Sequence, residues 1–167
     1  MRRMKWGRAV GVGGLVLLLG ACGAEHSPLY VEKDGGQTVV GWRECPGGGR
    51  DGIVEVELFR WDGSRTIDEP GEPLWRIEAE GGVVVHRVRL GSAPDGFVTR
   101  LPLTVPLDPG ATYALRANLP SEEVRLGFVT FRPEQLSAGR VVFGSEESES
   151  REDYDARDEE QFGCFAG

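Results

Sequence analysis

Short alternating segments, cut off every six to ten residues by glycine or proline, constrain this chain more than any other feature. Ile53 to Trp61 shows the pattern most clearly, with Val54, Val56 and Leu58 on one side and Glu55 and Glu57 on the other. Successive side chains of a strand point to opposite faces, so a two-residue repeat marks a sheet with one face buried. The glutamate face expects water, except where Phe59 and Trp61 share it and call for cover. The same alternation returns at Leu74 to Glu80, Thr112 to Leu119 and Val124 to Phe131, where Val124, Leu126 and Phe128 oppose Arg125 and Gly127. Leu29 to Val31, Gln37 to Glu44, Val83 to Leu90 and Gly139 to Phe143 complete the set. Gly81-Gly82 between two alternating runs predicts a two-residue hairpin. Pro102 and Pro106 demote Phe97 to Val105 to an edge strand or an irregular crossing. Pro133 to Leu136 suits a single helical turn. No segment keeps a 3.6-residue repeat. About seven strands with Gly/Pro turns fit an all-β sandwich or barrel, the sandwich first.

The front of the chain has a different build. Arg2, Arg3, Lys5 and Arg8 precede an apolar run from Val10 to Gly20. A helix that spans a bilayer needs ~20 apolar residues, and this run is shorter and interrupted by glycines. A basic start followed by a short apolar stretch is the form of a secretory signal. At its end, Leu19-Gly20-Ala21-Cys22 resembles the lipobox of bacterial lipoproteins. The resemblance implies cleavage before Cys22, a diacylglyceryl group on its thiol, and attachment at the extracytoplasmic face of the cell membrane. Two acyl chains anchor stably where one holds only marginally. The resulting division is a signal over 1–21, a tether over 22–29, a sandwich over 30–144 and an acidic segment over 145–167.

Leu107-Asp108-Pro109-Gly110-Ala111-Thr112-Tyr113-Ala114-Leu115-Arg116-Ala117 resembles the E–F region of fibronectin type III-like and Ig-like domains. There, a turn bearing proline and glycine leads into a strand with a buried tyrosine, which implies a core position for Tyr113.

Charge narrows the partners. The chain carries 19 basic and 27 acidic residues, a net charge of −8. Cleavage before Cys22 removes four basic and no acidic residues, leaving 15 against 27 and a net charge of −12. Phosphate neutralisation dominates nucleic-acid affinity, so nucleic acid is excluded as a partner. Anionic lipid would repel the domain as well, which leaves the acyl anchor to hold it at the membrane.

With Cys22 lipidated, Cys45 and Cys164 remain, and an extracytoplasmic pair of cysteines predicts one disulfide. Buried free thiols or an intermolecular bridge are the alternatives. Nine of the residues from Glu146 to Glu160 are acidic, and such blocks usually stay solvated and extended. The run lacks the glycine and ligand spacing of a calcium loop.

Chemistry is sparsely signalled. No nucleophile elbow, phosphate loop or H-E-x-x-H pattern occurs, and nothing in the sequence asks for a metal or another cofactor. His26 falls in the tether and His86 on a strand, each without companion ligands. Trp42, Trp61, Trp75 and Tyr113 could line a recognition patch or fill the core. Trp61, beside the Asp62-Gly63 turn, is the one expected to be partly exposed and to contact a ligand. The sequence thus reads as a non-enzymatic binding module for a protein or glycan. The alternatives are a structural component of an envelope complex and, third, an enzyme with a carboxylate pair.

Overall fold

The computed structural model describes residues 27–44, 52–118 and 126–162. Among the described residues, ten strands form two five-stranded antiparallel sheets packed face to face, in place of the seven or so expected. They are β1 Leu29–Asp34, β2 Gln37–Trp42, β3 Glu55–Arg60, β4 Pro73–Ala79, β5 Arg87–Arg89, β6 Phe97–Leu101, β7 Tyr113–Asn118, β8 Leu126–Phe131, β9 Arg140–Phe143 and β10 Glu147–Ser150. The first sheet has the order β10-β9-β1-β2-β5 and the second β6-β4-β3-β7-β8. One helix, α1 over Arg151–Ala156, and two short 3₁₀ turns at Pro133–Gln135 and Glu159–Phe162 are the other elements described.

The core lies between the sheets and follows the alternation. Leu29, Val31, Val40 and Trp42 point inward from the first sheet, and Val56, Leu58, Trp75, Ile77, Tyr113 and Leu115 from the second. Trp42, Trp75 and Tyr113 are therefore core residues and form no recognition patch.

β8 departs from the expected phase. Val129 and Phe131 face the core, while Phe128 lies on the outer face beside Phe59 and Ala114. Gly127 takes the inward position that a side chain would otherwise fill. A Cβ there would lie 2.4 Å from the Trp42 ring. The indole occupies the space, so the glycine belongs to the inward set.

The hairpin expected at Gly81-Gly82 is absent. β4 already pairs with β3 on one edge and β6 on the other. Both edges of β4 being taken, the chain crosses to the first sheet, where β5 pairs with β2. The two glycines, with φ of 68° and 75°, serve that reversal. β6 is an edge strand that stops before Pro102, as expected.

Leu29 already pairs with Trp42, so the sheet begins at the last residue assigned to the tether. At the other end, the acidic segment is folded and not a solvated extension. β10 pairs with β9, and α1 and the second 3₁₀ turn carry Tyr154 and Phe162 onto the outer face of the first sheet. Tyr30, Val141, Phe143, Tyr154 and Phe162 form a small separate core there. Tyr30 lies flat over Gly41, where a Cβ would meet its ring at 2.0 Å. Ser150 caps α1 by accepting the Asp153 backbone N–H at 3.0 Å.

Candidate functional site

The direction of the strands decides what each end of the sandwich presents. Ser27, the first residue described, accepts hydrogen bonds from the backbone N–H groups of Leu29 (3.1 Å) and Phe128 (2.9 Å). It therefore sits where β1 and β8 begin. β8 starts opposite the end of β7, which lies opposite the start of β3. The far end of β3 and the loop that follows it lie at the opposite pole, a strand length of about 20 Å away.

At that pole, Gly63 to Glu72 folds back over the outer face of the second sheet and encloses a cleft of about 530 Å³. Glu57 and Arg116 form its floor on neighbouring strands β3 and β7, directly opposite one another. Arg116 donates to Glu57 Oε2 through Nε (2.9 Å) and Nη2 (2.5 Å). Its third nitrogen reaches the Ile67 carbonyl at 3.5 Å, tying the loop to the floor. Glu57 is only 5% exposed, and Arg76 on β4 adds a second cation 3.9 Å from its other oxygen. A buried carboxylate left without such partners would carry a large desolvation cost. The loop's own start is set by Asp62, whose Oδ1 accepts the Ser64 hydroxyl (2.7 Å) and backbone N–H (2.9 Å). Those two bonds, the hydroxyl first, hold the Asp62 carboxyl below its usual range.

Ser64, Arg65, Asp68 and Glu69 line the rim. Gly71, at φ 98°, lets the Arg65 guanidinium cross its backbone, where a Cβ would sit 2.1 Å from Nη1. A second hollow of about 460 Å³, between Lys33, Thr38, Leu90 and Pro133, opens at the same pole. The lining of the main cleft mixes carboxylate acceptors with guanidinium and hydroxyl groups. Such a surface suits hydrogen bonding to a polar ligand or peptide.

Trp61 stands where β3 ends. It is half-buried, packs edge-on against Phe128 with ring centres 5.2 Å apart, and completes an apolar strip with Phe59 and Ala114. It does not line the cleft, although Phe59 belongs to both. His86 is partly exposed, with Nδ1 3.6 Å from Glu44. Among the described residues, no group of three or more His, Cys, Asp or Glu is placed to hold a metal ion. No helix among them is long and apolar enough to cross a membrane. Cys22, Cys45, Cys164 and His26 lie outside the described residues.

Sequence reasoning missed Glu57 and Arg116. Glu57 was legible as a strand residue on the polar face, but its burial depends on the later loop and on cross-strand register. The tyrosine expectation has a structural counterpart. Tyr113 is buried, and its hydroxyl accepts the Asp108 backbone N–H at 2.9 Å, five residues upstream. In comparisons with known proteins, no family model, no curated protein and no solved structure matches this chain.

Proposed function

We propose that this chain is a lipid-anchored module of the bacterial cell envelope, held at the extracytoplasmic membrane face through Cys22. It binds a protein or glycan at the pole facing away from the bilayer. The observation that carries the reading is polarity. Ser27 sits at one end of the sandwich, from which the proposed tether would leave, while the cleft over Glu57 and Arg116 and the second hollow both lie toward the opposite end. A short tether would keep the first pole at the bilayer, and the other would face outward.

Two further observations support relating the body to fibronectin type III-like and Ig-like sandwiches. The bond from Asp108 to the Tyr113 hydroxyl has the form of the tyrosine corner that recurs at the E–F turn of these folds. The arrangement β1-β2-β5 against β4-β3-β7-β8 matches a three-strand sheet facing a four-strand sheet, with β6, β9 and β10 added. Such sandwiches commonly present ligands to loops at one end.

Binding of the unlipidated domain, starting after Cys22, to isolated cell envelopes tests the reading. Saturable binding that weakens at least about tenfold in Trp61→Ala or in a variant with Asp68 and Glu69 changed to Asn and Gln is the expected result. One lost interaction of about 1.4 kcal/mol produces a change of that size. Absence of saturable binding, or binding indifferent to these changes, favours a structural role within an envelope complex.

A further inference from the structure

We propose that the second hollow is a site for the C-terminal end of a peptide, with the terminal carboxylate on Lys33 and an aliphatic last side chain against Leu90, Leu107 and Pro133. The phase of β1 sets this up. Leu29 and Val31 belong to the core between the sheets, so the two-residue repeat turns Lys33 to the same side. Thr38, directly opposite Lys33 on β2, shares that phase with Val40 and Trp42. Both strands therefore carry apolar side chains into the core and end, at this pole, on an ammonium and a hydroxyl.

Lys33 is half-buried, and only part of its bonding capacity is used. Its ammonium donates to Thr38 Oγ1 at 3.2 Å and, over a longer 3.4 Å, to the Gly36 carbonyl. An ammonium has three donors, so one is left. Among the described residues no carboxylate pairs with it; the neighbouring Asp34, on the other face of β1, is joined to Arg87 at 2.8 Å. The facing wall of the hollow is apolar. Leu90 is drawn in by its backbone N–H, which donates to the Thr38 carbonyl at 2.9 Å. Leu90 and Leu107 pack against the main core, and Pro133 opens the 3₁₀ turn after β8.

A hollow of about 460 Å³ thus has a cation and a hydroxyl on one side and three aliphatic groups on the other. The last residue of a peptide divides in the same way, since its carboxylate and its side chain leave one Cα in different directions. Capture of a terminal carboxylate is a recurrent mode of peptide recognition, and ionised partners make such hydrogen bonds roughly twice as strong. Gln37, exposed at the rim, offers a side-chain amide to the preceding peptide group, a partner that a fatty acid would leave unused. The site shares no lining residue with the cleft over Glu57 and Arg116. Its occupancy depends neither on what that cleft binds nor on the membrane anchor.

The test is a titration of the full, isotope-labelled chain with N-acetyl-alanyl-leucine, followed by amide NMR shifts. Salt of ~0.15 M screens the chain's net negative charge beyond about 8 Å. We expect saturable shifts at Lys33, Thr38, Leu90 and Gly91. The corresponding leucinamide, which lacks the charge, should bind at least about tenfold more weakly. Lys33→Met keeps an unbranched stem without the ammonium and should bring the free acid down to the affinity of the amide. If that variant fails to fold, the comparison of acid and amide on the natural chain decides. Hexanoate, a carboxylate with an aliphatic body and no peptide group, should bind more weakly than the peptide. Equal affinities for acid and amide, shifts that lie elsewhere or do not saturate, or hexanoate binding as tightly as the peptide would each overturn the proposal.

Discussion

At Gly127 a missing side chain decides the phase of an entire strand. Because the Trp42 indole fills the space above it, Gly127→Ala forces the indole or the strand to move. Overpacking of this kind costs about 1–3 kcal/mol. Denaturant titration should show a lowered midpoint with an unchanged slope; a loss below about 0.5 kcal/mol would mean that the core yields freely there. The Glu57–Arg116 pair is the second residue-scale determinant. Glu57→Ala leaves Arg116 partly buried with, among the described residues, the Ile67 carbonyl and the face of the Phe59 ring as its remaining partners. A charged hydrogen-bonded partner lost in this way costs about 1.5–3 kcal/mol. We expect a smaller loss for Glu57→Gln, which keeps an acceptor, and equal losses for the two would contradict the assignment.

Individual strands were legible because alternation is a local property. Val56, Leu58, Trp75, Ile77, Tyr113 and Leu115 all face inward as their spacing requires. The β8 phase was not legible, since it depends on a tryptophan 85 positions away. Glu57 presents the same difficulty: a strand pattern marks a face as polar but cannot say that a loop will cover it.

Among the elements, the C-terminal layer departs furthest from its composition. A block of like charge suggests solvation, yet Arg132, Arg151 and Arg157 neutralise Glu146, Asp155 and Glu149 in turn. Three arginines also stack on its aromatic cluster, Arg43 on Tyr154 and Phe162, Arg151 on Tyr30, and Arg157 on Phe143. Each such contact contributes about 0.5–2 kcal/mol, depending on desolvation. The signals that were present, Ser150 three residues before Asp153, Tyr154 within the acidic run and Phe162 just beyond it, are weak beside the charge. The two-glycine reversal after β4 misleads for a related reason. A turn signal reports that the chain reverses, while the partner strand is chosen by the edges that remain open.

This layer should respond to alkali. Burial, above all, raises the Tyr154 phenol well above its ordinary value of 10.0. The folded state thus holds a proton that the unfolded chain releases, so the contribution to stability is complete below pH 10 and falls as the pH rises past it. Exchange protection of residues 151–162 should weaken above pH 10 in the natural chain. In Tyr154→Phe, that loss should be blunted. Identical alkaline profiles for the two chains would remove Tyr154 from the explanation.

On the scale of the molecule, exposed sheet edges are controlled one by one. β5 has three residues with arginines at both ends, and β6 stops before a proline. The outer edge of β8 is closed by Ser27 and by Gly144, which accepts the Thr130 N–H at 2.9 Å. Guarded edges limit strand-to-strand association between copies. Under the proposed lipid anchor, such edges would keep copies on one membrane surface from pairing. The proposed binding surface is then the loops at the pole opposite Ser27, with the cleft over Glu57 and Arg116.

Everything about that orientation depends on Cys22. Mass spectrometry of the chain expressed with its leader in a bacterium and extracted from membranes by detergent tests it directly. We expect a mature N-terminus at Cys22 bearing a thioether-linked diacylglyceryl group, and loss of both the group and membrane retention in Cys22→Ser. A mature chain that starts elsewhere, or one that keeps Cys22 as a free thiol while remaining at the membrane, would contradict a lipid-tethered module.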